Sequence, residues 1–355
     1  MEGPIRYSFQ PGPAQLFPEV ETWINFALRE GLLSRYHRDP EWRKIFKEAQ
    51  QAVAQYLALP EDWTVAFASS ATEIWQILSD AVVDCSTLHF IQGDFAQRWY
   101  ALQKGANPRA QAIYLTADVP FYSQIRTAAE SYHEVQFVAV VHVETSVGAF
   151  IPDISEIRKA FPEALIAVDA TSSLGGIGLP WHLIDVAFAS VQKCLGLPPG
   201  LGVLVVSPRA KERFIHMPRQ RHNTLSFILQ SAERHEPTHT PNLLGIFLLS
   251  RVPPERPPLV KVEADLYARA SKLYAELERW GFIPLMPPEY RAPTVLAFEV
   301  KPPDDLYALR KRAEQFSIYL GWGYGAYKDT AFRIANFPAL PDEAYSLLLR
   351  ALREG

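Results

Sequence analysis

The chain has 355 residues, 48% of them hydrophobic and 21% charged, with a formal net charge of −4. That balance excludes a disordered chain and supplies no cationic block for nucleic acid or an anionic membrane, while the length allows a large core plus a second, smaller unit. Two cysteines, Cys85 and Cys194, exclude a disulfide framework and suit a reducing compartment.

Met1–Arg6 lacks the apolar core of a signal peptide, and no apolar run approaches the roughly 18 residues of a membrane helix, so a cytoplasmic protein is expected. From about residue 45 to 215, strand-like runs alternate with helical patterns, which is the signature of a parallel sheet with crossover helices. The candidate strands are Thr64–Ala68, Thr87–Ile91, Ala112–Leu115, Val135–Val141, Ala164–Val168, Val186–Ala189 and Gly202–Val206. A turn-rich loop over His235–Asn242 leads into a helix that begins at Leu243. Helical periodicity then covers 262–280, with a strand over Thr294–Val300, a helix over Leu306–Phe316, a strand over Ala331–Ala335 and a closing helix over Pro341–Leu352. Proline pairs at 253–254, 257–258, 287–288 and 302–303 punctuate this last third. The expected architecture is α/β: an N-terminal arm (1–15), a large domain (16–247) built on a seven-stranded, mostly parallel sheet, and a smaller α+β C-terminal domain (248–355).

Ala164–Val168 reads as a buried strand that stops at Asp169, and Val186–Ala189 reads the same way before Ser190-Val191-Gln192-Lys193-Cys194-Leu195-Gly196. In an open α/β sheet the carboxyl ends of strands converge on a ligand crevice, so Asp169 and Lys193 are expected to face one site. A lysine at a strand end is more often solvated, but this one sits in a stretch with little charge, and desolvation weakens its hold on a proton. A buried carboxylate opposite a buried lysine suits pyridoxal phosphate: the lysine forms an imine and the acid partners the pyridinium nitrogen.

Ser69-Ser70-Ala71-Thr72-Glu73 reads as a capping box at a helix start, and the same free amides and dipole suit a phosphate. Phe95, in Gly93-Asp94-Phe95-Ala96-Gln97-Arg98-Trp99, taken alone is a core residue. Arg333 alternates with Ala331 and Ala335, so its guanidinium needs a partner, either a structural acid or a ligand carboxylate.

From Ser8-Phe9-Gln10-Pro11-Gly12-Pro13-Ala14 to Phe332-Arg333-Ile334-Ala335-Asn336-Phe337-Pro338, the chain resembles the class V branch of the fold-type I pyridoxal-phosphate aminotransferases, above all the phosphoserine aminotransferases. The 24-residue step from Asp169 to Lys193 matches that family as well. The resemblance implies pyridoxal 5′-phosphate as cofactor, no metal, and catalysis by Lys193 and Asp169. It implies that Ala71 and Thr72 hold the cofactor phosphate, Phe95 stacks on the pyridine ring, Thr145 bonds the phenolic oxygen, and Gln192 joins the cofactor contacts. It further implies a homodimer whose site is shared across the interface. Thr240, in Thr240-Pro241-Asn242, would reach the partner's cofactor phosphate, while His37 and Arg38 would read a substrate phosphate in the neighbouring subunit and Arg333 the substrate α-carboxylate.

Four positions depart from the phosphoserine aminotransferase pattern: Ala71 and Thr72 stand where glycine and arginine are usual, Val143 where asparagine precedes the Glu144-Thr145 pair, and Lys328 in place of a histidine-containing loop. The expected reaction is transamination of O-phosphoserine with 2-oxoglutarate, as in serine biosynthesis. Serine or alanine:glyoxylate transamination is the alternative, because the class shares the His-Arg pair. A cysteine desulfurase would need a reactive cysteine near the C-terminal domain, where neither Cys85 nor Cys194 falls. A non-catalytic relative is disfavoured by Lys193 and Asp169 standing together.

Overall fold

Strands such as Val186–Ser190 and Gly202–Val206 are buried along their whole length, which requires cover on both faces of the sheet. A computed structural model describes residues 6–215, 223–300 and 306–353; the Pro302-Pro303 pair and the first five residues of the expected arm lie outside them. Seven strands form one sheet in the order Thr64–Ala68, Gly202–Val206, Val186–Ser190, Leu165–Asp169, Phe137–Val141, Thr87–Ile91 and Ala110–Tyr114. Gly202–Val206 runs antiparallel to both neighbours, and every other pairing is parallel. This is the expected sheet, with the last of these strands starting two residues before the expected Ala112.

Alternation along each strand splits the core in two. Ile166, Val168, Val203 and Val205 face one helical layer, and Leu165, Ala167, Leu204 and Val206 face the other. At about 1.5–3 kcal/mol for each fully buried Val or Leu, these paired faces supply much of the drive to form the sheet.

Strand register decides where chemistry can gather. Val141 pairs with Asp169, Asp169 with Phe188, and Gly202 with both Ser190 and Ala68. The ends of four strands therefore meet along one edge, and the helix Ala71–Ala81 begins at that edge directly after Thr64–Ala68.

The second sheet has five strands, in the order Tyr7–Phe9, Ile318–Trp322, Ala331–Ala335, Val295–Glu299 and Ile283–Pro284. Its core joins Phe9, Phe298 and Phe332 to Leu273, Leu309 and Leu348 of the covering helices Leu259–Arg279, Leu306–Gln315 and Asp342–Arg353. Tyr7–Phe9 pairs in parallel with Ile318–Leu320, so the arm supplies an edge strand to the C-terminal sheet. The helix Leu243–Arg251 crosses the expected boundary at 247, and its Ile246, Phe247, Leu248 and Leu249 are buried in the large core. Among the described residues no helix is long and apolar enough to cross a membrane.

Phe9 is fully buried at the junction of arm and C-terminal sheet. Phe9→Ala is expected to cost about 3–5 kcal/mol in urea unfolding, the usual loss for an emptied aromatic site; an unchanged midpoint would mean that the arm strand does not hold this sheet together.

Candidate active site

At the shared strand edge, the two sheets enclose a cleft of about 390 Å³. Lys193 enters it two residues beyond Val191, on a turn held by the arm and the residues just after it: the Ala14 N–H donates to the Gln192 carbonyl (2.9 Å) and the Phe17 N–H to the Gly196 carbonyl (3.1 Å). Gly12 passes so close that a Cβ there would lie 3.0 Å from the Lys193 Cε, and its positive φ of 152° suits glycine alone. The arm therefore walls off one side of the amine.

Lys193 is 7% exposed, and its Nζ donates to Thr145 Oγ1 (2.9 Å) and Ser172 Oγ (3.0 Å). Desolvation pulls its pKa down to about 8; Asp169 opposes that shift and Arg333 adds to it. Asp169 is buried too. Its Oδ2 accepts from the Trp75 indole N–H (2.7 Å) and its Oδ1 from the Thr171 N–H (2.9 Å). Burial raises its pKa, while those donors and the Lys193 charge favour the ionised form.

The helix Asp94–Ala106 begins at Gly93, which carries no side chain to cap it. Buried Glu144 does that work, accepting from the Phe95 N–H (3.3 Å), the Ala96 N–H (3.0 Å) and the Ser146 hydroxyl (2.6 Å), while the Ser146 Oγ accepts from the Asp94 N–H (3.1 Å). A Cβ on Gly93 would overlap the Glu144 side chain. Glu144 thus fixes the backbone that carries Phe95, whose ring centroid lies 5.3 Å from the Lys193 Nζ.

Arg333 reaches the cleft from the C-terminal sheet. Its Nε donates to the Trp322 carbonyl (2.7 Å) and its Nη1 to the Thr145 carbonyl (2.8 Å), and burial lowers its pKa to about 10. No carboxylate pairs with it among the described residues, so the structural salt bridge weighed from sequence is not what holds it. Tyr324 stacks on Phe95 (5.1 Å between centroids, 26°), and its hydroxyl accepts from Arg98 Nη1 (3.3 Å).

The profile of the family described as Aminotransferase class-V matches residues 6–302. The chain belongs to this family. A phosphoserine aminotransferase of Rhodococcus jostii is 26% identical over 68% of the chain, and the chain spans 65% of that relative's length, less than two-thirds. An L-aspartate–glyoxylate aminotransferase of Paracoccus denitrificans is 26% identical over 94% of the chain and 87% of its own length. The crystal structure of a phosphoserine aminotransferase from Cytophaga hutchinsonii superposes with a TM-score of 0.91 at 29% identity, covering 100% of this chain and 99% of that one. Fold-type I architecture is thereby shared across the whole chain.

Eight of the residues singled out from sequence line this one cleft: Ala71, Thr72, Phe95, Thr145, Asp169, Gln192, Lys193 and Arg333. His37, Arg38 and Thr240 do not. Thr240 lines a separate cavity with Ser69, His239 and Asn242, behind the turn that starts the helix Ala71–Ala81. Desolvation lowers the His37 pKa, and the nearby charges of Arg38 and His239 lower it further. Asn242 serves locally as a helix cap, accepting from the Gly245 N–H (2.9 Å). Ser70 caps its helix as the capping box requires, but Glu73 reaches back to the Ser69 N–H (2.6 Å) and not to the cap residue itself.

Trp75, Ser172, Ser190 and Tyr324 were not singled out from sequence. Ser190 Oγ accepts from the Ala71 N–H (2.8 Å), tying the lysine strand to the helix start. For Trp75 a signal existed: three and four residues past Thr72 and Ala71, it shares their helix face. The others depend on contacts between distant segments, which local pattern does not encode.

If burial lowers the Lys193 pKa as the geometry requires, carbamylation of this amine by cyanate in the apoprotein, followed by mass spectrometry, should rise with a midpoint near pH 8. A midpoint near 10, like a surface lysine, would contradict the desolvated site.

Proposed function

We propose that the protein is a pyridoxal 5′-phosphate-dependent aminotransferase, and that O-phosphoserine and 2-oxoglutarate are its substrates. The observation that carries the cofactor reading is the meeting of the desolvated Lys193 amine, the buried Asp169 carboxylate and Arg333, an arginine without an acidic partner among the described residues, in one cleft. The residues present fit the cofactor. Gln10 and Gln192 each leave a buried Oε1 without a partner at this cleft, and the helix start at Ala71 and Thr72 suits a phosphate.

Pyridoxal phosphate, when bound, supplies an aldehyde that captures amines and a protonated ring that accepts the electron pair released at Cα. Asp169 would hold the ring nitrogen in its protonated form, since a second positive charge is stable in a desolvated site only beside a carboxylate. Phe95, whose backbone is held by Glu144, offers a flat apolar face to the ring. Thr145 would bond the phenolic oxygen. Arg333, already anchored at two nitrogens, has Nη2 to offer a substrate carboxylate and so orients the Cα–H bond toward Lys193. With a pKa near 8, the Lys193 Nζ is a competent base for the Cα proton near neutral pH. Thr145 and Ser172 keep that nitrogen aimed into the cleft between transfers.

The phosphoserine reading is supported by the names of the relatives at 26% and 29% identity. It assigns His37 and Arg38 to the cleft of a second subunit, with Thr240 at that subunit's cofactor phosphate, in a homodimer. Their place outside their own cleft fits that assignment. A second reading, an aspartate, serine or alanine:glyoxylate aminotransferase, is favoured by neutral Thr72 in the cleft and by the near full-length match to the Paracoccus relative.

Pyridoxal-loaded protein mixed separately with O-phosphoserine, aspartate, serine and alanine should convert to the pyridoxamine form in a single half-turnover, fastest with O-phosphoserine. An inert O-phosphoserine beside a reactive aspartate, serine or alanine moves the protein to the glyoxylate-dependent reading. Arg38→Ala should lower kcat/KM about 10- to 100-fold for a phosphorylated donor, as loss of a charge-assisted hydrogen bond does, and far less for an unphosphorylated one. Equal losses would remove Arg38 from phosphate recognition. Lys193→Ala should abolish transamination while leaving noncovalent cofactor binding, and normal turnover in that variant would sink the assignment.

A further inference from the structure

We infer that Trp75 is a positioning residue for Asp169: its indole N–H fixes the carboxylate and strengthens that carboxylate's grip on the protonated ring nitrogen of pyridoxal phosphate. The inference rests on the cofactor reading above. Trp75 is 3% exposed and lines the cleft, one helical turn beyond the proposed phosphate turn. Its Nε1–H donates to Asp169 Oδ2 at 2.7 Å, while the Thr171 N–H holds Oδ1 at 2.9 Å. One donor on each oxygen leaves acceptor capacity on both, because a carboxylate oxygen accepts two hydrogen bonds.

The indole is itself held. It stacks on Trp99 (6.3 Å, 8°), and Trp99 meets Phe188 edge-on (5.3 Å, 84°). Phe188 is the residue paired with Asp169 across the sheet. The carboxylate is thus braced through its own strand, through the neighbouring strand and, by way of Trp75, through the helix whose start would hold the cofactor phosphate. Packing alone would be served by phenylalanine; a buried indole N–H adds a requirement for an acceptor, and here the acceptor is a carboxylate in the cleft. Lys193 is the charged group that acts on Asp169 here, and it favours the same ionised form as the indole does.

Apoprotein should be titrated with pyridoxal 5′-phosphate and with its carba analogue, in which a C–H replaces the ring nitrogen. Wild-type protein, Trp75→Phe, and protein carrying benzothienylalanine at position 75, an isostere that exchanges only the indole N–H for sulfur, are compared. Loss of the donor should weaken pyridoxal phosphate about tenfold and leave the carba analogue nearly unchanged, as expected for a hydrogen bond to a charged group felt only through the ring nitrogen. In the loaded enzyme kcat should fall while KM for the amino donor holds. Equal weakening of both ligands would assign Trp75 to packing, and unchanged affinity for both would remove it from the site; either result overturns the inference. If Trp75→Phe fails to fold, the isostere alone carries the comparison. Wild-type protein that binds neither ligand would overturn the cofactor reading and this inference with it.

Discussion

A lysine ammonium loses much of its stabilisation when water is removed, and the rest of the site is arranged around that cost. Lys193 sits where the arm, the strand edge and the Ser172 turn exclude solvent, so its amine is driven toward the neutral form. Asp169 moderates the effect without forming a direct ion pair, since the Lys193 amine is bonded to the Thr145 and Ser172 hydroxyls while the carboxylate is held by Trp75 and Thr171. A closer acid would hold the proton on lysine; a more distant one would leave a buried carboxylate without a charge to balance it.

The same economy explains why the two sheets cannot work apart. Arg333 belongs to the C-terminal sheet, yet its Nη1 ends on the Thr145 carbonyl of the large domain, beside the hydroxyl that receives Lys193. Tyr324 crosses the cleft in the same direction to stack on Phe95, whose helix is capped by Glu144 next to Thr145. A shift of the C-terminal sheet would therefore be felt at the lysine through two short chains of contacts. The arm adds a third, since Tyr7–Phe9 is a strand of the C-terminal sheet while Ala14 bonds the lysine turn.

The large sheet was legible because its strands are short, apolar on both faces and followed by polar turns; Asp169 and Lys193 stood out as charges where those runs stop. The C-terminal sheet was less so. Gly321 interrupts the run at Ile318–Trp322, and Ile283–Pro284 is too short to show alternation, so neither of these strands was anticipated, nor was that of the arm. The arm looked like a separate segment because parallel pairing with a strand more than 300 residues away leaves no local mark. Within the site, Phe95 and Thr145 were reached through resemblance, whereas Trp75 read as one more apolar residue on a buried helix face. Its polar atom matters only because the fold brings Asp169 to it.

The central claim, that the desolvated amine at the strand edge is the group that captures the cofactor, is tested most directly by borohydride. Protein incubated with pyridoxal 5′-phosphate, reduced and digested should carry the pyridoxyl group on the peptide containing Lys193 at close to one per chain. Label spread over surface lysines, or concentrated on a lysine outside the cleft, would contradict the account.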